Sequence, residues 1–323
     1  MNMNDYLSKE PYKYVVVLGN GFDLDLGLKT KYSDFVDSKE WADMYNERVK
    51  KEPFPVLIQY LYGKRFTDNW FDIESALLEY VSPKADGSFV NNEKTDKDDY
   101  SLLCTTLVRF LRNQLKKAPD IYDRPGAKFL RALPKNDNCI LYSFNYTPIG
   151  IINNMAIGHN HITECEALHG CLHNHCLSEY YKEDNQIILG FETNDITNIA
   201  PGYSFMIKSN SSIYKPSNIV FDLGNAKEVV IYGHSLNAID FCYFKDYFKL
   251  LTQYNEKKRS LTIITKDNSS RITILDNLRR NNISVSDIYS HSNIEFIYTT
   301  NINNKDYDDS AKFDRLISSF PIY

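Results

Sequence analysis

The run Tyr14-Val-Val-Val-Leu18, followed at once by Gly19-Asn20-Gly21-Phe22-Asp23, constrains this chain more than any other stretch. Five consecutive residues without polar alternation predict a strand buried on both faces, as in a parallel sheet covered by helices on each side. The two glycines predict a tight turn whose backbone can approach a ligand closely. Residues 24–36 read as a helix after that turn. A buried strand, a glycine turn and a helix N-terminus together make a cradle for an anion or nucleotide. The third glycine of the usual dinucleotide fingerprint is replaced by Leu24, so the motif alone is weak.

Further buried strands are expected at residues 139–145, 187–190, 228–232, 261–265 and 294–298, with helices at 238–253 and 270–281. This alternation predicts an α/β fold, a doubly wound, Rossmann-like parallel sheet. Residues 56–62, 70–80 and 100–115 have helical periodicity, and little between 41 and 134 reads as a strand. The expectation is one α/β domain over 12–323, with a large helical insertion at 30–137 after the first strand. The polar stretch 82–99 reads as a loop, and the acids at 96–99 as solvated.

Hydrophobic residues make up 43% of the chain and charged residues 24%, as in ordinary globular proteins. The net charge of −5 argues against a chain whose main work is coating nucleic acid. No apolar run reaches the roughly 18 residues of a membrane span. Residues 1–8 lack a basic region followed by an apolar core, so no secretory signal is expected. A cytoplasmic protein with six reduced cysteines and no membrane partner is the resulting expectation.

Four segments end in polar or glycine-rich sequence: the first strand in Gly19 to Asp23, the second in Asn145-Tyr146-Thr147, the segment Glu166-Ala-Leu168 in His169-Gly170, and the strand at 228–232 in Gly233-His234-Ser235-Leu236-Asn237 with Asp240 beyond. In an open parallel sheet these endings collect on one rim, where ligands bind. Asn145 offers a fixed amide that can orient a water or a ribose hydroxyl. His169 can serve as general base or hydroxyl partner. The alternatives are that Asn145 caps a turn and that His169 is a satisfied rim histidine. Asp23 and Asp240 suit ribose hydroxyls or helix caps, and Ser235 or Asn237 suits the cap of the next helix. The cluster Cys165, His169, Cys171, His173, His175 and Cys176, preceded by His159 and His161, has zinc-ligand residue types but no known finger spacing.

The opening motif, continuing through Leu24-Asp-Leu-Gly-Leu-Lys-Thr-Lys-Tyr-Ser-Asp-Phe35, closely resembles the start of the AbiH family of bacteriophage abortive infection proteins. Trp70-Phe-Asp-Ile-Glu74, Phe144-Asn-Tyr-Thr147, Leu168-His-Gly170 and Tyr232-Gly-His-Ser-Leu236 look like the family's later motifs, in the expected order. The resemblance implies a phage-defence role, with a phage protein as a possible trigger and a homo-oligomer as a possible assembly. The same motifs are more distantly similar to the sirtuin-like NAD-binding fold, whose defence members cleave NAD. That resemblance implies catalysis by Asn145 and His169, a diphosphate at Gly19 and Gly21, and an adenosine ribose beside Gly233 and Ser235. Asn20, Asp23, Thr147 and Asp240 complete the expected nucleotide contacts, with NAD as substrate or ligand and no metal. Phe22 and Asp23 depart from the pattern and would narrow the pocket or repel a diphosphate. Thr147 replaces an expected Asp, and the four-cysteine module of deacetylases is not evident, so deacetylation is not expected. Two other classes stay open: a metal-dependent nuclease using Asp23, Asp72 and Glu74, and a non-enzymatic nucleotide sensor acting through a partner.

Overall fold

The computed structural model describes residues 11–51, 56–66, 72–84, 87–88, 92–134, 138–157, 164–178, 187–193, 196–255, 257–304 and 306–320. Residues 1–8, Trp70, Phe71, His159 and His161, which carried expectations above, lie outside these. Six strands, β1 (Tyr14–Leu18), β2 (Cys139–Ser143), β3 (Glu164–Ala167), β4 (Glu228–Tyr232), β5 (Ser260–Thr265) and β6 (Asn293–Tyr298), form one sheet. All neighbours pair in parallel, in the order 3-2-1-4-5-6. This is the doubly wound, Rossmann-like arrangement, with β1 and β4 at the point where strand order reverses.

The unbroken apolar run of β1 is explained by its two packed faces. Tyr14, Val16 and Leu18 enter one core and Val15 and Val17 the other. The first core contains the helices between β1 and β2: α1 (Asn20–Asp25), α2 (Tyr32–Val36), α3 (Lys39–Lys51), α4 (Val56–Lys64), α5 (Ile73–Val81), α6 (Glu93–Lys116) and α7 (Pro125–Ala132). No strand occurs between β1 and β2 among the described residues. After β2 comes α8 (Ile149–Ile157). The second core is closed by α9 (Ile219–Asn225), α10 (Lys245–Leu251), α11 (Asn268–Arg280) and α12 (Val285–His291). Helix α13 (Asp309–Ser319) returns to the first face, where Phe313 and Leu316 are buried.

Four local expectations are corrected. Residues 24–36 do not form one helix: Gly27, at φ +85°, separates α1 from α2. Residues 187–190 make no strand of the sheet. They form only the isolated bridge of Ile187 to Gly170, while neighbouring Phe191 bridges Ile207. Their apolar side chains are buried by packing beneath the helical layer instead. The helix expected from 238 starts at Lys245, because Asn237 Oδ1 accepts from the Asp240 amide at 3.2 Å and a 3₁₀ turn, Phe241–Tyr243, comes next. Helix α6 begins at Glu93, inside the expected loop, and Asp96 and Asp99 are buried rather than solvated. Asp96 accepts from the hydroxyls of Tyr80 at 2.8 Å and Tyr203 at 2.5 Å and from the Leu57 amide at 3.2 Å. Asp99 pairs with Arg48. Buried acids with such donors are internal struts, and a sequence pattern cannot tell them from a solvated acidic run.

The glycine turn does not stand open. Gly233 has φ +69°, and a Cβ there would lie 2.2 Å from the Phe22 amide nitrogen. A Cβ on Gly19 would lie 2.5 Å from His234 Cα, and one on Gly21 2.7 Å from Gly233 Cα. The turns after β1 and β4 therefore touch backbone to backbone, which only glycine permits. Gly233→Ala is expected to lower stability by about 2–4 kcal/mol through strain and collision. Gly63→Ala, at an exposed position of α4 with nothing within 4 Å of the new Cβ, is expected to raise it by about 0.5–1 kcal/mol. Urea unfolding of the two variants checks the opposite signs.

Candidate active site

Two polar networks lie along the rim formed by the C-terminal ends of β1, β2, β3 and β4. The first is centred on Asp23, in α1. Asn145 and Thr147 come just after β2 and reach it side by side. Asn145 Nδ2 donates to Asp23 Oδ1 at 2.9 Å and to the Gly19 carbonyl at 3.1 Å. Thr147 Oγ1 donates to Asp23 Oδ2 at 2.7 Å. All three residues are buried. No ion pair to Asp23 occurs among the described residues, and burial pushes its carboxyl up to about 7 against the pull of these two hydrogen bonds. Asn145 Oδ1 is buried with no hydrogen-bond partner. Such an orphaned acceptor is costly and marks a place for a donor from a ligand or water.

The second network surrounds the ammonium of Lys208, in the 3₁₀ turn Lys208–Asn210. Nζ lies 3.2 Å from Glu74 Oε2, 3.1 Å from Asp240 Oδ1 and 3.1 Å from His169 Nε2. His169 Nε2 is also 3.3 Å from Asp240 Oδ1, and His234 Nε2 is 3.7 Å from Asp240 Oδ2. Lys208 is 1% exposed and none of Glu74, His169 and Asp240 exceeds 7%. Glu74 sits in the first turn of α5, just after the cap residue Asp72, and its Oε1 lies 3.1 Å from the Tyr146 hydroxyl and 3.4 Å from the Gly190 amide. Phe144 meets the rings of His169 and His234 edge-on at 5.2 and 4.4 Å.

The charges in this network arise from burial and neighbours. Burial, joined by Lys208, pushes His169 down to about 4, so its imidazole is neutral at pH 7. Burial raises Glu74 to about 7, with Lys208 opposing and Asp240 adding to the rise. Burial would also raise Asp240, but Lys208 and His169 together hold it well below the usual carboxylate range. Lys208 stays charged, because Asp240 and Glu74 outweigh the cost of its burial.

The expected site residues divide accordingly. Asn145, Thr147, Asp23 and Gly19 meet in the first network, and His169 and Asp240 meet in the second. Gly21 and Gly233 pack against each other. The Gly19 amide donates to the Tyr232 carbonyl at 2.9 Å and the Gly21 amide to the Gly233 carbonyl at 2.8 Å, so both are engaged within the protein. Asn20 is exposed, with its Oδ1 accepting from Thr30. Ser235 is half-buried and its carbonyl accepts from Asn277; Asn237, not Ser235, caps the next turn. Phe22 does not narrow a pocket, because it is fully buried edge-on to Tyr232.

Among the described residues, the one group of His, Cys, Asp and Glu close enough to share a metal is Glu74, His169 and Asp240, and it includes none of the cysteines. Asp23 and Asp72 do not join it. The cysteines are all unpaired, and His173 and His175 are exposed. Lys208 and His234 went unread in the sequence as members of the site. A single lysine in Met206-Ile-Lys-Ser carries no signal until the fold surrounds it with acids.

No helix among the described residues is long and apolar enough to cross a membrane. Among curated proteins none matches the chain. The family described as bacteriophage abortive infection AbiH matches residues 15–265, a span from β1 to the end of β5 that contains both networks. The chain belongs to the AbiH family.

Proposed function

We propose that this protein serves phage abortive infection by binding NAD or a related nucleotide and hydrolysing its N-glycosidic bond at the Asn145–His169 rim. The family carries the phage-defence part of this reading. The observation that carries the chemical part is the buried, unpartnered Oδ1 of Asn145, held beside a carboxyl that titrates near neutrality.

In this reading Asn145 Oδ1 accepts a hydrogen bond from the attacking water or a ribose hydroxyl. Its amide is fixed by Asp23 and Gly19, so the acceptor is aimed before the ligand arrives. Neutral His169 is the ribose-hydroxyl partner. Asp23, near 7, has the affinity suited to taking a water's proton at neutral pH. The water oxygen bonds to the anomeric carbon as the bond from that carbon to the pyridinium nitrogen breaks. The electron pair leaves with nicotinamide, and the water's proton goes to Asp23. Because the Gly19 and Gly21 amides are engaged, the diphosphate would lie outward of the glycine contact, toward exposed Asn20 and half-buried Ser235.

In cells challenged with a phage that the protein restricts, NAD is expected to fall with wild type and to hold with Asn145→Ala or His169→Ala. Each variant is expected to release nicotinamide at least about 100-fold more slowly than wild type. Restriction of the phage with NAD unchanged would refute the reading. Magnesium-dependent loss of nucleic acid would favour a nuclease, and a retained nucleotide without turnover a sensor.

The state of Asp23 can be tested by stability. Its folded value of about 7 lies above the roughly 3.9 of an unfolded aspartate. Between those values the native state binds more protons than the unfolded state, so this group's contribution declines as pH rises from 4 to 7. Asp23→Asn removes that decline. The variant's stability relative to wild type is expected to improve across the window by on the order of 3 kcal/mol, measured by urea unfolding at several pH values. Parallel curves would mean that Asp23 ionises normally.

A further inference from the structure

The cation at the centre of the second network belongs to a segment that is not part of the sheet. Residues 187–193 and 203–210 lie over the rim, joined to each other by Phe191 N to Met206 O at 3.2 Å and Lys208 N to Phe191 O at 2.9 Å. The segment also ties down to the site through Gly190 N to Glu74 and through Lys208 itself. His169 and Asn145 are 3% and 6% exposed, and a ligand of nucleotide size does not reach them in this arrangement.

The charge balance is uneven. Two carboxyl groups face one ammonium, Asp240 held ionised and Glu74 pushed up to about 7, and the imidazole beside them is neutral. The groups are built to hold positive charge: two acceptor oxygens and a ring nitrogen lie within 3.2 Å of one Nζ. A buried ion cluster of this kind adds little net stability over apolar packing, so stability alone does not account for it. The positive charge sits beside His169, where the proposed substrate would be cut.

We propose that Glu74, His169 and Asp240 form a subsite for a ligand's positive charge, which Lys208 fills from within until a monocationic ligand of the ribosyl-pyridinium class takes the ammonium's place. The inference rests on the hydrolytic reading for the identity of the ligand. It supplies what that reading lacks, a group that recognises the charged pyridinium ring and distinguishes the oxidised from the reduced nucleotide. It also makes the closed state an internally inhibited one. The exchange is made by the Lys208 side chain and leaves the six-stranded sheet intact, while residues 187–191 stay fixed by the Ile187–Gly170 bridge, by Ile188 N to His169 O at 2.7 Å and by Leu189 and Phe191 in the first core.

The test is binding, read by calorimetry on the full chain, with 1-methylnicotinamide as the cationic probe and nicotinamide as its neutral counterpart. Lys208→Met is expected to bind the cation at least about tenfold more tightly than wild type does, and about tenfold more tightly than it binds nicotinamide. Adding Glu74→Gln is expected to erase most of that preference. Lys208→Gln, which keeps a hydrogen-bond donor, carries the same test if Lys208→Met does not fold by circular dichroism. Equal binding of the two probes by a folded variant overturns the proposal, as does uptake of Mn²⁺ in place of the organic cation. Cation preference without nicotinamide release from NAD keeps the subsite and refutes hydrolysis. Hydrolysis without the preference keeps the reaction and refutes the subsite.

Discussion

The ammonium of Lys208 joins four parts of the chain that share no secondary structure. Glu74 comes from the helical region between β1 and β2, His169 from the end of β3, Asp240 from the turn after β4, and Lys208 from the covering segment. Without that cation, two buried carboxylates would face each other with one neutral imidazole between them, a state that costs several kcal/mol or is relieved by taking up a proton. This one charge ties the start of α5 and the covering segment to the rim, and it adds to burial in keeping His169 neutral. Glu74 is the least compensated member, since burial and Asp240 both act against its ionisation.

The contact of the β1 and β4 turns decides where the rim can be chemical at all. In open sheets of this strand order a ligand commonly enters at the reversal point. Here that point is filled by backbone, with Gly19 and Gly21 against Gly233 and His234. The polar side chains gather beside the contact, at the ends of β2 and β3. Phe22 and Asp23 are the two residues of the opening motif that fit a phosphate loop least, and they are explained by this arrangement. Phe22 anchors the turn in the core against Tyr232, and Asp23 faces sideways to Asn145 and Thr147.

Periodicity decided how much of the fold was legible in the sequence. Strands β1, β2 and β4 announce themselves as short apolar runs, β5 and β6 as β-branched and aromatic runs interrupted by Thr262 and Glu295, and the polar and glycine-rich residues at the C-terminal ends of β1 and β4 mark the rim. Asn145, His169 and Asp240 could be placed because they sit within one or two residues of a strand end, or on the turn after one. Residues 187–190 misled for the same reason: an apolar run buried beneath helices has the composition of a strand but here makes only one isolated bridge, to Gly170. Asp96 and Asp99 misled in the other direction, because the donors that bury them lie on α3, α4, α5 and the turn at Tyr203, far away in sequence. Lys208 had neither periodicity nor a strand end to mark it. Its role is a charge balance, and that balance exists only once the fold has brought the acids together.

The two networks differ in a way that bears on how such a site is kept quiet. Around Asp23 the hydrogen bonds come from neutral donors, the carboxyl lies near its titration point, and one acceptor is left over. Around Lys208 the ammonium and Asp240 are held ionised, Glu74 is pushed up and His169 is neutral, and the cation's polar contacts are met from three sides. The first network therefore keeps one acceptor open, while the second has its cation's contacts met from within the protein. Withdrawing the Lys208 ammonium would unpair the cluster, and water or a replacing cation would have to take up the exposed charges. In the proposed subsite, a ligand carrying its own positive charge would offset that cost where a neutral one would not, and selection of the ligand and release of the closed state would then be a single step.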